Sequence, residues 1–393
     1  MTQRALALID GEHYAPVVRD ALEGLPYEFV GALLVGGTEK LRGGDDYGVP
    51  LVEALDGVEA DLVVDLSDEP VLGPRERMLW ASRALALGLP YVGADFRFDP
   101  PHLPPVETPS LAVIGLGKRI GKTAVAGHVA RLLARERRVV VVAMGRGGPA
   151  VPELLETPPT LDDLLELSRS GRHAASDHLE AAALAGVPAV GCRRVGGGLA
   201  GAPFVSNVLE GVAVAEELEP ELLVFDGSGA ALPPVGVDAR ILVTNGAHDV
   251  RAGLNAYRVL VSDLVVDTGG ADREAIRRIA PLPVVSAGLR LRPAEPLHGR
   301  RTAVFTTGPA PVDDLDAEVV HVSRNLARRD LLAEELERVD AEVYLVELKA
   351  AAVDVVAEAA LARGAEVVLA ANDVVSDELD ERVLALVPDR SRA

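Results

Sequence analysis

The densest chemistry in this chain lies in nine consecutive residues, Gly115-Leu116-Gly117-Lys118-Arg119-Ile120-Gly121-Lys122-Thr123. Closely spaced glycines let backbone N–H groups close around phosphate oxygens, and a helix starting at the end of the loop adds its positive pole. In such a loop Lys122 reaches the β- and γ-phosphates of a triphosphate, and Thr123 is a ligand for Mg²⁺. Lys118 and Arg119 bring two further cations. They can stabilise charge on a transferring phosphoryl group or hold an anionic acceptor. A solvated basic loop tip is the plain alternative, and for Arg119 the residues do not choose between the two. Two of the chain's four lysines fall in this loop, although arginine is the cation used almost everywhere else.

A strand must lead into such a loop and a helix must leave it. The apolar run Leu111-Ala112-Val113-Ile114 and the helix-forming stretch from Ala124 to Glu136 meet that need. The glycine spacing is Gly-x5-Gly-Lys-Thr, one residue off the usual pattern, with Leu116 at the usual first glycine position. This loop resembles that of dethiobiotin synthetase and its relatives, which couple phosphoryl transfer to ring closure. The nucleotide-binding set is therefore expected to be Gly115, Gly117, Lys118, Gly121, Lys122 and Thr123, with Lys122, Lys118 and Arg119 acting on the transferring group.

Other strand ends carry candidate partners. Phe225-Asp226-Gly227-Ser228-Gly229 follows an apolar strand, and Asp226 is the expected carboxylate partner of the loop, holding Mg²⁺ directly or through water. Met144-Gly145-Arg146-Gly147-Gly148 ends the strand after the loop's helix, so Arg146 is placed for an acceptor phosphate or carboxylate. Gly191-Cys192-Arg193-Arg194-Val195-Gly196-Gly197-Gly198 reads as a mobile loop in which Arg193 and Arg194 offer bidentate donors. Asp10-Gly11-Glu12-His13-Tyr14 and Gly36-Gly37-Thr38-Glu39-Lys40 each close a strand of the N-terminal segment. Polar side chains there suggest a ligand, and plain turns are the alternative. Lys349, in Glu347-Leu348-Lys349-Ala350-Ala351-Ala352, can reach a shared site from the C-terminal segment. The region Arg172 to His178 mixes imidazole, hydroxyl and carboxylate, but its five-residue histidine spacing does not suit a zinc site on one helix face, and Ser176 or Asp177 is better read as a helix N-cap.

Composition limits the function. The net charge of −21, from 39 basic and 60 acidic residues, argues against nucleic acid or an anionic membrane surface as partner. An anionic substrate then needs a local cluster of arginines. Apolar residues make up 49% of the chain and aromatics only 3%, so the cores must be built from Ala, Val and Leu, as parallel sheets allow. The single cysteine, Cys192, excludes a disulfide framework. The apolar run Ala5 to Ile9 is too short and too quickly broken by acidic residues for a signal peptide, and no run approaches a membrane span. A soluble cytoplasmic protein is expected, with a homodimer left open.

The expected fold is α/β: a P-loop NTPase-type core with a parallel sheet, flanked by smaller N-terminal and C-terminal α/β segments. Strand-like runs at 4–9, 29–35, 61–66 and 90–92 alternate with helices over residues 1–98. Four prolines between 100 and 105 mark a stiff linker over 99–110. The nucleotide-binding core follows over 111–300, with a long insertion between 145 and 220. Residues 301–393 form a third βα segment.

Taken together, these motifs resemble the cyclic 2,3-diphosphoglycerate synthetase family. The resemblance rests on Ile9 to Tyr14, Gly115 to Thr123, Gly145 to Gly148, Ser176 to Glu180, Cys192 to Gly198, Asp226 to Gly229 and Glu347 to Ala352, and it spans nearly the whole chain. It implies a cyclising ligase that uses Mg·ATP to close 2,3-diphosphoglycerate into its cyclic anhydride, releasing ADP and phosphate. Arg146, Arg193, Arg194, Lys349 and His13 are the residues expected to meet the small phosphorylated acid, and Thr123 and Asp226 the metal. A 2-phosphoglycerate kinase would stop after one transfer and release no free phosphate. A nucleotide switch or metal-insertion factor would need a guanine-reading loop or a His/Cys-rich tract. The late strand end Thr244-Asn245-Gly246-Ala247 lacks the first, and no tract supplies the second.

Overall fold

The computed structural model describes residues 2–43, 45–170, 177–307, 311–348 and 353–387. They form three sheets in succession along the chain. The first contains β1 (Arg4–Ile9), β2 (Glu28–Leu34), β3 (Leu51–Val52), β4 (Leu62–Asp65), β5 (Tyr91–Val92) and β6 (Arg97–Phe98), in the order β3-β2-β1-β4-β5-β6. All its pairings are parallel except β5 with β6. Helices α1 (Ala15–Gly24) and α2 (Pro74–Ala86) serve as crossovers, each with a proline in its first turn, where the missing N–H costs nothing.

The second sheet carries the phosphate loop. Its strands are β7 (Ser110–Gly115), β8 (Val139–Gly145), β9 (Glu153–Leu155), β10 (Ala189–Val195), β11 (Val205–Ser206), β12 (Leu222–Asp226), β13 (Ala239–Thr244), β14 (Leu264–Asp267) and β15 (Val284–Ser286). The order β11-β10-β8-β12-β7-β13-β14-β15 is parallel from β10 to β15, and β9 and β11 add antiparallel edges to β10. Central strands are apolar on both faces. Leu111, Val113, Val139, Val141 and Ala143 pack one way, against α3 (Lys122–Leu133) and α5 (Asp177–Ala185). Ala112, Ile114, Val140, Val142 and Met144 pack the other way, with α6 (Val208–Glu216), α7 (Asn255–Leu260) and α8 (Arg273–Ile279). Each such fully buried Val or Leu contributes about 1.5–3 kcal/mol. Helix α4 (Leu161–Arg169) lies in the insertion, where Leu164 packs with Leu179 and with Leu348 of the C-terminal segment.

The third sheet is β16 (Gly288–Pro293), β17 (Arg301–Phe305), β18 (Glu318–Ser323), β19 (Val343–Glu347) and β20 (Glu366–Val375), in the order β16-β20-β19-β17-β18. Helices α9 (Arg329–Leu336) and α10 (Val353–Ala362) pack on it, and α11 (Leu379–Leu386) follows and packs on α3. Gly288–Pro293 joins this sheet antiparallel to β20, so it structurally precedes the boundary near residue 300 that the sequence suggests. The reason is its partner, which lies eighty residues downstream.

Two departures from the sequence reading bear on the site. Residues 191–195 are not a mobile loop. They belong to β10, paired in parallel with β8. Gly191 is needed for packing: a Cβ there would stand 2.5 Å from the Nδ1 of buried His178. The proline segment is also more than a spacer. Pro105 bridges to Gly236, the Gly236 N–H donates to the Pro104 carbonyl at 2.7 Å, and Val106 packs on the core.

The flanking domains dock on opposite faces of the central sheet. Leu6, Leu8, Val63, Ala81 and Leu85 share one apolar cluster with Ile114, Leu254 and Tyr257, across the packing of α2 on α7. Val374, Leu379 and Val383 share the other face with α3, where Asp380 meets His128 at 2.6 Å and Asp373 meets Arg131 at 3.2 Å. Among the described residues no helix is long and apolar enough to cross a membrane.

Candidate active site

The phosphate loop turns at the carboxyl end of β7, in the middle of the second sheet. Gly121 holds φ +77° as the residue before α3, which glycine adopts without a Cβ penalty. Arg119 takes φ +59°, a conformation that is strained for a side-chain-bearing residue and is retained at functional sites. Lys118 and Arg119 are exposed at the loop tip, whereas Lys122 and Ile120 are buried. Lys122 forms an ion pair with Asp226, at the end of the adjacent strand β12, and the two side chains are only 9% and 1% exposed. Thr123 follows in the first turn of α3, half-buried. A hydroxyl in the first turn of α3 and a carboxylate at the end of β12 offer an all-oxygen donor set. That suits Mg²⁺, which binds through few protein ligands and keeps its waters and the substrate phosphates. Among the described residues no group of three or more His, Cys, Asp or Glu could hold a metal ion by itself.

Three residues past Asp226, Gly229 is approached by two arginines. A Cβ placed on Gly229 would stand 2.9 Å from an Arg146 nitrogen and 3.8 Å from an Arg194 nitrogen, so the two guanidinium groups converge on this glycine. Arg194 is only 7% exposed. It donates to the Gly196 carbonyl at 2.6 Å and to the Ser228 carbonyl at 2.9 Å, while its buried Nε has no hydrogen-bond partner among the described residues. Burial, and then the neighbouring Arg146 cation, push the Arg194 guanidinium below its usual value, with Asp177 opposing. Guanidinium groups so placed present planar donors of the kind that suit a phosphate or carboxylate. The Asp177 carboxylate lies against Gly145, where any Cβ would overlap it.

Arg193, the sequence neighbour, goes elsewhere. Side chains alternate along a strand, so Arg193 faces away from Arg194 and is exposed. Its main chain is held by Asn207 Oδ1 at 2.7 Å and Ser206 Oγ at 3.0 Å. Lys349 lies outside the described residues, as do Ser176 and residues 350–352. His13 is not on the second sheet at all; it stands at the end of β1 in the first, paired with Asp10.

The structure also brings in residues that the sequence does not mark. His248, four residues beyond β13, lays its ring on Gly117, where a Cβ would overlap it. A lone histidine in a loop has no periodic signal to betray it. Thr268, after β14, donates its hydroxyl to the Ile120 carbonyl at 2.9 Å and so fixes the loop from the other side. Arg258 on α7 is 2% exposed and donates to the carbonyls of Ala230 at 2.8 Å, Leu199 at 3.0 Å and Leu254 at 3.3 Å. It thereby ties the loops after β10 and β12 to one helix, at the cost of a guanidinium pushed down to about 10 by burial. An arginine in an otherwise helical sequence looks like a solvent-facing residue, so only its packing reveals it.

The first sheet has its own polar cluster. Asp10 is fully buried at the end of β1. Its Oδ1 accepts from the Glu12 N–H at 2.9 Å and pairs with His13 Nδ1 at 2.8 Å, and its Oδ2 accepts from the Asp68 N–H at 2.7 Å. Burial alone would raise this carboxyl, but the Asp68 N–H, the His13 ring and the Glu12 N–H together hold it below the usual carboxylate value.

Comparison with known proteins finds similar sequences along most of the chain. Family models described as cyclic 2,3-diphosphoglycerate synthetase match as an N-terminal domain over residues 4–99, a P-loop domain over 110–280 and a C-terminal domain over 293–373. The cyclic 2,3-diphosphoglycerate synthetase of Rubrobacter xylanophilus is 50% identical over 98% of this chain and 97% of its own length. That of Thermococcus kodakarensis is 40% identical over 94% of each, and that of Methanothermobacter thermautotrophicus 37% identical over 98% and 96%. Among solved structures, LpxK from Aquifex aeolicus in complex with ATP aligns at 15% identity and a TM-score of 0.43, over 73% of this chain and 90% of that one.

Proposed function

The chain belongs to the cyclic 2,3-diphosphoglycerate synthetase family, and on that premise we propose that it converts 2,3-diphosphoglycerate and ATP into cyclic 2,3-diphosphoglycerate, ADP and phosphate. The observation that carries the reading is the convergence of Arg146 and Arg194 on Gly229, one strand end away from the Lys122–Asp226 pair. A chain of net charge −21 that concentrates guanidinium groups beside its phosphate loop is suited to a small polyanionic acceptor.

The chemistry follows from placement. The loop holds the triphosphate, and Lys122 exchanges Asp226 for the β/γ-phosphate oxygens. Arg146 and Arg194 hold one acceptor phosphate in line with the γ-phosphorus. An acceptor oxygen bonds to that phosphorus as the bond to ADP breaks. An oxygen of the acceptor's second phosphate then attacks the first phosphate's phosphorus, the ring P–O–P bond forms, and the transferred group leaves as inorganic phosphate. Both phosphates belong to one bound molecule, so the second step gains from proximity. No protein nucleophile is required; the side chains position the reactants and neutralise charge. Thr123 and Asp226 would hold Mg²⁺, which when bound neutralises phosphate charge. Lys118 and Arg119, exposed at the loop tip, would meet the transferring group.

The test is to incubate the protein with Mg·ATP and 2,3-diphosphoglycerate and follow the products by phosphorus NMR. A cyclic anhydride signal rising in step with ADP and free phosphate is expected. ADP without free phosphate would replace the synthetase reading with a kinase, and intact ATP would mean that the acceptor is a different acid.

A further inference from the structure

The phosphate loop is braced from the third sheet. A Cβ placed on Gly121 would stand 2.9 Å from Cδ1 and 3.6 Å from Cδ2 of Leu289, and 3.3 Å from Cγ2 of Thr268. Gly121 directly precedes Lys122, so these side chains bear on the turn that aims the loop's buried cation. Leu289 reaches it from β16, an edge strand of the third sheet. The course of the chain makes this possible. β15 ends the second sheet, the Ala287 N–H donates to the Asp267 carbonyl at 2.9 Å, and β16 begins at the next residue.

The ladder behind Leu289 also grips the helix that leaves the loop. β16 pairs with β20, placing Leu289 opposite Val374 and Arg290 opposite Asp373. Val374 shares the apolar cluster of Val125 and Val129 on α3. Asp373 meets Arg131 of α3 at 3.2 Å and Arg292 of β16 at 2.9 Å, so one carboxylate ties helix to strand. Arg131 in turn donates to the Leu184 carbonyl of α5 at 2.5 Å. Asp380 of α11 meets His128 at 2.6 Å. Gly121, Val125, His128 and Arg131 recur at helical spacing and lie along one face. The third segment thus follows α3 from the phosphate loop to its last turn.

Packing at Gly121 governs how ordered the loop is before a nucleotide arrives. Backbone N–H groups at a helix N-terminus hold phosphate best when they already point at it, and a loop that must order itself on binding loses affinity by that ordering. Glycine has the greatest backbone freedom, and Gly121 holds φ +77°. Leu289 and Thr268 both close on it and restrict that freedom.

We infer that Leu289 is a positioning residue for the nucleotide: acting from the third sheet, it holds Gly121 and the Lys122 turn in the form that closes on the phosphates. The inference rests on the loop's role in the reaction proposed above, and direct binding separates the two. Mg·ATP binding would be measured by calorimetry, and phosphate release with each substrate varied in turn, for the wild type, Leu289→Ala, Leu289→Val, Leu289→Met and Leu291→Ala. Leu291 stands farther along the same strand, buried in a different cluster, and controls for loosening of the third sheet itself. Leu289→Ala should raise the Mg·ATP Kd and the ATP KM about tenfold, with the acceptor KM within about twofold. Leu289→Val removes both contacting Cδ methyls and keeps a strand-forming residue, so it should show the same rise if the alanine variant does not fold. Leu289→Met should recover most of the wild-type affinity. Leu291→Ala should leave the Kd within about twofold. An unmoved Kd in folded Leu289→Ala or Leu289→Val, an equal rise in Leu291→Ala, or no recovery with methionine would overturn the assignment. A wild type that binds Mg·ATP yet does not turn over 2,3-diphosphoglycerate would overturn the reaction and leave the assignment standing. One that does not bind Mg·ATP would overturn both.

Discussion

Arg193 and Arg194 are adjacent and chemically identical, yet the strand sends them to opposite faces, so replacing each by methionine gives a controlled comparison. Arg194→Met removes a buried guanidinium that donates to Gly196 and Ser228 and faces Arg146. If it gives the acceptor phosphate one charge-assisted hydrogen bond, about 1.5–3 kcal/mol of binding is lost, or roughly 10- to 150-fold in the acceptor KM. In the free protein the Gly196 carbonyl loses its donor, at about 1–3 kcal/mol, while the Ser228 carbonyl keeps the Ala231 N–H at 3.0 Å; a cation with an unpartnered Nε also leaves the interior, which offsets part of that loss. Net destabilisation is therefore expected to be about 1 kcal/mol, small enough for the variant to be assayed folded. Arg193→Met changes an exposed side chain and should leave stability within about 0.5 kcal/mol and both Michaelis constants within about twofold. The assay is steady-state phosphate release with each substrate varied in turn, beside urea melts. The reasoning fails if Arg193→Met raises the acceptor KM as much as Arg194→Met does. It fails equally if Arg194→Met raises the ATP and acceptor constants together.

Three further outcomes are expected. Lys122→Ala should lower kcat by about a thousandfold or more, and the buried Asp226 left without its cation should cost about 3 kcal/mol in a urea melt; near-normal turnover would dissociate the loop from the chemistry. Gly117→Ala should weaken nucleotide binding, because its methyl overlaps the His248 ring, and adding His248→Ala should restore part of the loss, with a coupling of about 1–2 kcal/mol; a double variant no better than the single one would show that the ring does not press on the loop. Burial, and secondarily the Glu210 charge, push the Cys192 thiol up to about 12, so at about pH 8 it remains protonated and inaccessible. A thiol reagent should label it only after denaturation, and rapid labelling of the native chain would contradict the packing of Gly211 against its sulfur.

The strands were legible where apolar runs are uninterrupted. Leu111–Ile114 and Leu222–Phe225 are buried on both faces and look so in sequence, and the glycine loop between strand and helix announces itself. Strand β10 was not legible, because Gly191, Gly196 and two arginines imitate a loop. The glycine answers the His178 ring and the arginines answer a two-residue alternation, neither of which is visible without a neighbouring strand. Helix α1 shows in the sequence only as the interval between two strand-like runs, since its apolar face is narrow: Ala15, Val18 and Leu22. In the candidate site, the residues proposed to do the chemistry are named from the glycine loop that opens α3 (Lys122 and Thr123) and from strand ends (Asp226 and Arg146). His248, Thr268 and Arg258 act through contacts between segments far apart in the chain, and local pattern carries no record of such contacts.

The apolar cluster that runs from Leu6 and Leu85 through Ile114 to Tyr257 has a practical meaning for anyone wishing to shorten this chain. The proline segment looks like a place to cut, but Val106 and Pro105 are already fastened to the larger sheet, and the surface behind the cut is interior. A fragment starting at residue 110 would expose the face of α7 that α2 now covers, an oily scar of the kind that drives self-association. The N-terminal segment is therefore not a detachable module, and a library that swaps or trims it must redesign the α7 face in the same step.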